Sequence, residues 1–290
     1  MNVLVTGAET PVGGYLAGEL ASRGERVVGG VGVAPDMLDE LLAGNGVGGI
    51  VHAWGATGEP GAEVPSESGV LARAEAALAL LEAARRAGFE GRLVIFSSYV
   101  VYGNNEAIID ESAPIRPRSL SAVGSIAAEH LARVYTDVHG LDVVSLRLAE
   151  AYGPRLGMPP LLGRLIAAAL GGSPFRANAG AEQGLHLIHG QDVARAVMAA
   201  LEAPDPGQRV YNISGGERHS LASVAALVRA RFPYSRIDLG PGGIPGLERQ
   251  GPLDIRAADR DLDYRPRWGL ARGIDDTVDW LLSIPRPLIT

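Results

Sequence analysis

MNVLVTGAETPVGGYLAGEL, residues 1–20, is the stretch on which the reading of the fold turns. Met1–Thr6 is a short apolar strand, and GAETPVGG, residues 7–14, leads from it into a helix that runs to about Ser22. A strand, a glycine turn and a helix N-terminus in that order make an anion site, because free backbone N–H groups and the positive end of the helix dipole point at one spot. A pyrophosphate suits such a site, so Gly7, Thr10, Val12 and Gly13 are candidate cofactor-binding residues. The plainer alternative is a tight turn with no ligand; the position at the head of a strand–helix series favours the ligand. That series continues with apolar runs at Arg26–Val31, Gly49–Ala53 and Leu93–Phe96, alternating with helical patterns at about 36–43, Glu67–Ala87 and Ser121–Val138. Such alternation belongs to an open α/β sheet, in which strand ends beside helix starts gather the chemistry.

The chain has 290 residues, 47% hydrophobic and 20% charged, enough apolar content for one large core or a core with a smaller lobe. A net charge of −7 without blocks of like charge gives no surface for nucleic acid or an anionic membrane. No apolar run reaches the roughly 18 residues of a spanning helix, and the chain opens straight into a strand, so a cytoplasmic protein is expected. There is no cysteine, which removes disulfides, thiolate nucleophiles and cysteine-held metals. Lysine is absent as well, all 26 basic residues being arginine. Coding bias toward Arg, Ala and Gly explains this; protection from an electrophilic product is the functional alternative. Either way no lysine serves as base, Schiff-base amine or phosphate ligand.

Over nearly its whole length the chain resembles the extended short-chain dehydrogenase/reductase family, the NAD-dependent sugar-nucleotide epimerases and dehydratases. TGAETPVGGYLAGEL resembles the TGxxGxxG start, VIFSSYVVYG the strand carrying the catalytic serine, VVSLRLAEAYGPR the lRxxNvYGP strand and LIHGQDVARAVMAALE the vHVdDvA helix. YNISGGERHSLASVAALV and LDYRPRWGLARGIDDTVDWL resemble the C-terminal lobe. The resemblance implies a doubly wound, mainly parallel Rossmann-type sheet with a small C-terminal substrate lobe. Residues 1–153, joined by 186–203, would form the nucleotide-binding core, and 154–185 with 204–290 the lobe. It also implies NAD or NADP as cofactor, a small-molecule substrate, and a homodimer in which the Glu67–Ala87 helix and the helix from Ser121 pair with a second subunit.

The departures from the family pattern carry the functional reading. Thr10 replaces the middle glycine of the first loop, a side chain where backbone approaches a diphosphate. GGVGVAPD after the second strand offers no acidic residue until Asp36, so neither NAD nor NADP is specified, and Trp54 takes the first of the small positions that line the cofactor. The cofactor is therefore expected to be weakly held or absent. Ser98 lies five residues before Gly103, where the family has its active-site hydroxyl, with Tyr99 and Tyr102 close by. Aligning SIAAEHL with the family's KlaaE puts Ser125 at the catalytic lysine and Ser121 at the catalytic tyrosine. In the usual pair a cation and the cofactor bring a phenol's pKa from about 10 toward neutrality; a serine without an adjacent base does not follow. Glu150 stands at the asparagine of lRxxNvYGP and Leu185 at the arginine of tRdfvHV, two changes that disfavour a dianionic substrate and favour a neutral or cationic one. Glu150 paired to a nearby arginine is the bland alternative.

His186 and His189 lie three apart without a third ligand, so no metal is expected, and His189 reads as a structural histidine. The Gly/Pro-rich segment 233–254 reads as a loop over the pocket, with Arg249 near the position of a substrate-contacting arginine; His186 and Arg249 are the candidate substrate-binding residues. The function expected is an atypical epimerase/dehydratase-like enzyme of secondary metabolism doing acid/base chemistry (isomerisation, cyclisation, elimination or hydrolysis) on a small molecule. Ser98 and Tyr102 would orient an oxygen and Glu150 would move the proton, with Tyr99, Ser121 and Ser125 completing the candidate catalytic set. Two alternatives stand beside it, a non-catalytic pseudoenzyme or binding protein and an NAD(P)-dependent sugar-modifying oxidoreductase or epimerase with a rebuilt site.

Overall fold

A computed structural model describes residues 1–29, 37–53 and 67–284. Strands and helices alternate along the first half as β1 (Asn2–Thr6), α1 (Pro11–Ser22), β2 (Arg26–Val28), α2 (Leu38–Gly44), β3 (Gly49–His52), α3 (Glu67–Arg86), β4 (Arg92–Ser98), α4 (Leu120–His139) and β5 (Asp142–Leu148). Every residue of β3 and β4 is buried, which is why both read as unbroken apolar runs rather than as alternating ones. Successive residues of β4 nevertheless serve two different cores. Val94 and Phe96 join Val12, Leu16 and Leu20 of α1, whereas Leu93 and Ile95 join Leu80 and Leu81 of α3 and Ala128 of α4. Helices on both faces are thus fixed by the two-residue period of a strand.

β6 (Glu150–Tyr152), α5 (Pro160–Leu170), β7 (Phe175–Ala177), β8 (Gly184–His189), α6 (Gly190–Glu202) and β9 (Val210–Ile213) follow. The last elements are β10 (Arg218–Ser220), α7 (Leu221–Arg231), β11 (Ile237–Leu239), α8 (Arg256–Leu262) and α9 (Leu270–Ser283). The large sheet is six parallel strands in the order β2-β1-β3-β4-β5-β9, a Rossmann-type doubly wound sheet. The order reverses between β1 and β3, so the crevice of the fold opens at their C-terminal ends, where Thr6 pairs in register with His52. β2 is the edge of this sheet among the described residues, and Val31, Asp36 and Trp54 of the sequence reading lie outside them.

β10-β8-β6 and β11-β7 form two small sheets beside a third core in which Leu162, Leu165 and Ile166 of α5 meet Leu221 and Val224 of α7. Strand 210–213, which the sequence reading assigns to the lobe with the rest of 204–290, sits in the large sheet against β5. α4 starts on the Ser119 cap, whose hydroxyl accepts from the Ala122 amide at 3.2 Å, and ends at Gly140, whose φ of 72° suits a residue without Cβ. Among the described residues no helix is long and apolar enough to cross a membrane, and no group of three or more His, Asp or Glu is placed to hold a metal ion.

Candidate active site

The turn from β1 into α1 brings strand and helix so close that a Cβ on Gly13 would overlap the Gly7 carbonyl, and Gly7 takes a φ of 80°. No acidic residue lies in the first turn of α1, so the shape and the dipole fit a diphosphate. The donors are fewer than that shape allows. Thr10 caps the helix with its own side chain: its hydroxyl accepts from the Gly13 amide at 3.1 Å and donates to the Gly7 carbonyl at 2.7 Å. Pro11, the next residue, has no N–H at all. The Val12 amide, in the first turn of the helix, makes no hydrogen bond among the described residues.

At the far end of β4, the Ser98 hydroxyl caps a 3₁₀ turn over Tyr99–Tyr102, accepting from the Val100 amide at 3.4 Å. Tyr102 is fully buried, and its phenol donates to Asn212 Oδ1 at 2.7 Å while accepting from Arg147 Nη1 at 2.8 Å. Burial first of all pushes it up to about 12, despite Arg147. Arg147 also forks onto Glu129 through Nε (2.9 Å) and Nη2 (2.7 Å), and Ser97 donates to the same carboxylate. These residues tie β4, α4, β5 and β9 together and leave Tyr102 positioned as a framework group.

Ser121 and Ser125 lie on the first turns of α4. Ser125 is fully buried, and its hydroxyl donates to the Ser121 carbonyl at 3.2 Å. It accepts at 2.6 Å from Arg73 Nη1, which comes from α3 and also reaches the Ser121 carbonyl at 3.4 Å. A guanidinium thus stands beside Ser125. It is half-buried, and burial lowers its pKa. Its charge is felt at His52, whose ring Nδ1 lies 2.7 Å from Thr6 Oγ1 at the switch point; burial and then Arg73 hold His52 near 4, so its ring is neutral. Nothing in the sequence pattern singled out Arg73, which lies 52 residues from Ser125 in an Ala/Leu-rich helix.

Glu150, Tyr99 and His186 come together on the substrate side. Tyr99 is buried against the His186 ring, centroids 5.3 Å apart and edge-on. His186 is buried and held near 4 by desolvation and then by Arg218, its partner in register across β8 and β10. Glu150 is half-buried at the head of β6; among the described residues its carboxylate has no hydrogen bond and no arginine partner. Desolvation, followed by the like charge of Glu248, raises it to about 7. Burial and then Glu150 and Glu248 raise Tyr99 well above its ordinary value. Glu248, in the loop that the sequence marks as a cover, was not singled out because a lone glutamate in a Gly/Pro-rich segment has no pattern. Arg249 is exposed, pairs with Glu106 at 3.5 Å, and with Arg218, Glu182 and Gln183 lines a cavity of about 490 Å³. His189 caps α6, lies 3.2 Å from Asp276 and stacks on Trp268 at 4.0 Å, away from this group.

The same architecture occurs in known proteins. A dTDP-glucose 4,6-dehydratase of Streptomyces niveus is 29% identical over 261 residues, 89% of this chain and 76% of that protein. Another, from an Actinoplanes species, is 32% identical over 204 residues, 69% of this chain but 63% of the relative, so less than two thirds of that protein is spanned. The structure of a UDP-glucose 4-epimerase of Thermus thermophilus complexed with NAD superposes with a TM-score of 0.82 at 25% identity, covering 98% of this chain and 99% of the other. Residues 3–214 match the model of the NAD dependent epimerase/dehydratase family, and the chain belongs to that family.

Proposed function

We propose that this chain is an enzyme that moves protons on a sugar-derived small molecule, by isomerisation or elimination, with Glu150 as the proton-transfer group in place of the α4 tyrosine. The observation that carries this reading is the carboxyl of Glu150, half-buried, without a cation among the described residues, and raised to about 7 by desolvation and Glu248. A carboxyl in that range exchanges protons in either direction near neutral pH, which an ordinary carboxylate does poorly. Ser98, with its hydroxyl hydrogen free to turn toward a ligand, orients the substrate oxygen, and Tyr99 and His186 form an uncharged wall beside it. Relatives named for dTDP-glucose and UDP-glucose point to a hexose-derived substrate. Glu150 and Leu185, at positions where the family has an amide and a guanidinium, favour one with less negative charge than a nucleoside diphosphate.

NAD, when bound, would supply hydride transfer. Gly7, Val12 and Gly13 would hold its diphosphate, with the shape of the turn intact and the number of amides reduced. A homodimer through α3 and α4 is part of the proposal, supported by the exposed apolar side chains Leu78, Val123, Val134 and Val138 on those helices.

Glu150→Gln tests the reading. With neutral and monophosphorylated 4-keto hexoses as probes, the variant should lose about 10²- to 10⁴-fold in turnover at a melting temperature no lower than that of the wild type. Full turnover in the variant would remove Glu150 from the chemistry.

A further inference from the structure

Two losses and one gain meet at the switch point between β1 and β3. The α1 turn has given up two of its anion-facing amides, one to the Thr10 hydroxyl and one to Pro11. The first turns of α4 carry Ser121 and Ser125 and no basic side chain. Arg73 arrives from α3 instead, its guanidinium anchored by two neutral oxygens, Ser125 Oγ at 2.6 Å and the Ser121 carbonyl at 3.4 Å. Both bonds use Nη1, so among the described residues Nε and Nη2 keep their donors. Among the described residues no carboxylate lies within ion-pair distance of it. The other withdrawn arginines of the core are paired differently: Arg147 forks onto Glu129, and Arg92 onto Asp142 at 2.7 Å. Burying a guanidinium without a counter-charge is costly, and a fork of free N–H donors is the geometry that takes up two oxygens of a carboxylate or phosphate.

We propose that Arg73 is the anion-binding group of this crevice, and that its ligand is a phosphate- or carboxylate-bearing small molecule lying across the ends of β1 and β3. The charge has been moved from one helix to its neighbour: α3 supplies the cation, and Ser125, small and buried, leaves the room and the hydroxyl that hold it in place. Ser125 is then a positioning residue acting through Arg73. His52, neutral and bonded to Thr6, forms the floor of the site without competing for the anion. The site does not depend on the role given to Glu150.

Equilibrium binding, read without turnover, tests this independently of Glu150. Calorimetric titration with NAD⁺ and, separately, with UDP-glucose distinguishes a cofactor anion from a substrate anion. The wild-type protein should bind at least one of the two, and Arg73→Gln should weaken that one about 10- to 100-fold, the worth of a charge-assisted fork. Ser125→Ala keeps the guanidinium and removes its anchor, and should weaken the same ligand about 3- to 5-fold, less than the loss of the guanidinium itself. Arg73→Lys, which keeps the charge and shortens the reach, should fall between them and serves if the glutamine variant does not fold. If Arg73 is only a strut between α3 and α4, then Arg73→Gln and Ser125→Ala should lower the melting temperature alike and leave affinity unchanged. That result, or a wild-type protein that binds neither probe, would overturn the proposal.

Discussion

Glu129 on α4 and Glu150 at the head of β6 are both withdrawn from solvent, and the fold treats them in opposite ways. Glu129 is 7% exposed and receives two hydrogen bonds from Arg147 and one from Ser97. Glu150 receives none among the described residues and faces Glu248 instead of a cation. A buried carboxylate held by a bidentate arginine and a hydroxyl is fixed in place as part of the framework. One left unmatched is poised to exchange a proton. The polar groups that hold this molecule together and those available for chemistry are thus told apart by their partners, not by their type.

The hardest way to break the comparison is at its framework side. Arg147→Met strips the buried Glu129 carboxylate of its cation and should cost about 3–5 kcal/mol of stability, measured by urea denaturation; a loss under about 1 kcal/mol would mean the pair behaves as a surface ion pair. At the other glutamate, pH is the lever. The folded value of about 7 lies above the ordinary 4.5, so the native state keeps a proton that the unfolded chain has released between those two values. The stability this group contributes is complete below pH 4.5 and is lost as pH rises through about 7. Wild-type protein should accordingly lose stability relative to Glu150→Gln over that interval, and a flat difference between the two denaturation series would show that Glu150 is not shifted.

A smaller effect is expected from Glu248→Gln. Removing the second cause of the shift should move the Glu150 titration, followed by carbon NMR of labelled glutamate, to lower pH while leaving the larger contribution of burial. Smallest is Thr10→Gly in the first turn, where a hydroxyl serves the framework as Glu129 does. It should cost a few tenths of a kcal/mol of helix capping and, by freeing the Gly13 amide, tighten NAD⁺ a few-fold in calorimetry; unchanged affinity would mean that this amide does not face the ligand.

The sheet was legible because strands buried on both faces write continuous apolar runs, and because glycine turns and caps write their ends. The helix read as Ser121–Val138 is α4 at Leu120–His139, closed by Ser119 and Gly140, both local signals. Strand 210–213 was harder to place, since nothing within its few residues says that it lies beside β5 rather than in the small sheets. At the site, the run ending in Ser97 and Ser98 was a local signal, whereas Glu150, read at a strand end, opens β6 just after β5 closes at Leu148. Arg73, Glu248 and the partners of Tyr102 did not show, because each acts on a residue far away in sequence: Arg73 on Ser125 across 52 positions, Tyr102 on Asn212 across 110.

By itself the sequence determined the strand–helix alternation, the glycine turn at residues 7–14, and the absence of lysine from the chain; these follow from local periodicity and from residue identity. Only the tertiary structure decided that Tyr102 is held by Arg147 and Asn212, that Glu150 meets Glu248 rather than an arginine, and that Arg73 brings a cation to Ser125. The physical reason is that charge and proton affinity depend on what surrounds a group within a few ångströms, and in a parallel sheet those neighbours come from strands and helices distant along the chain.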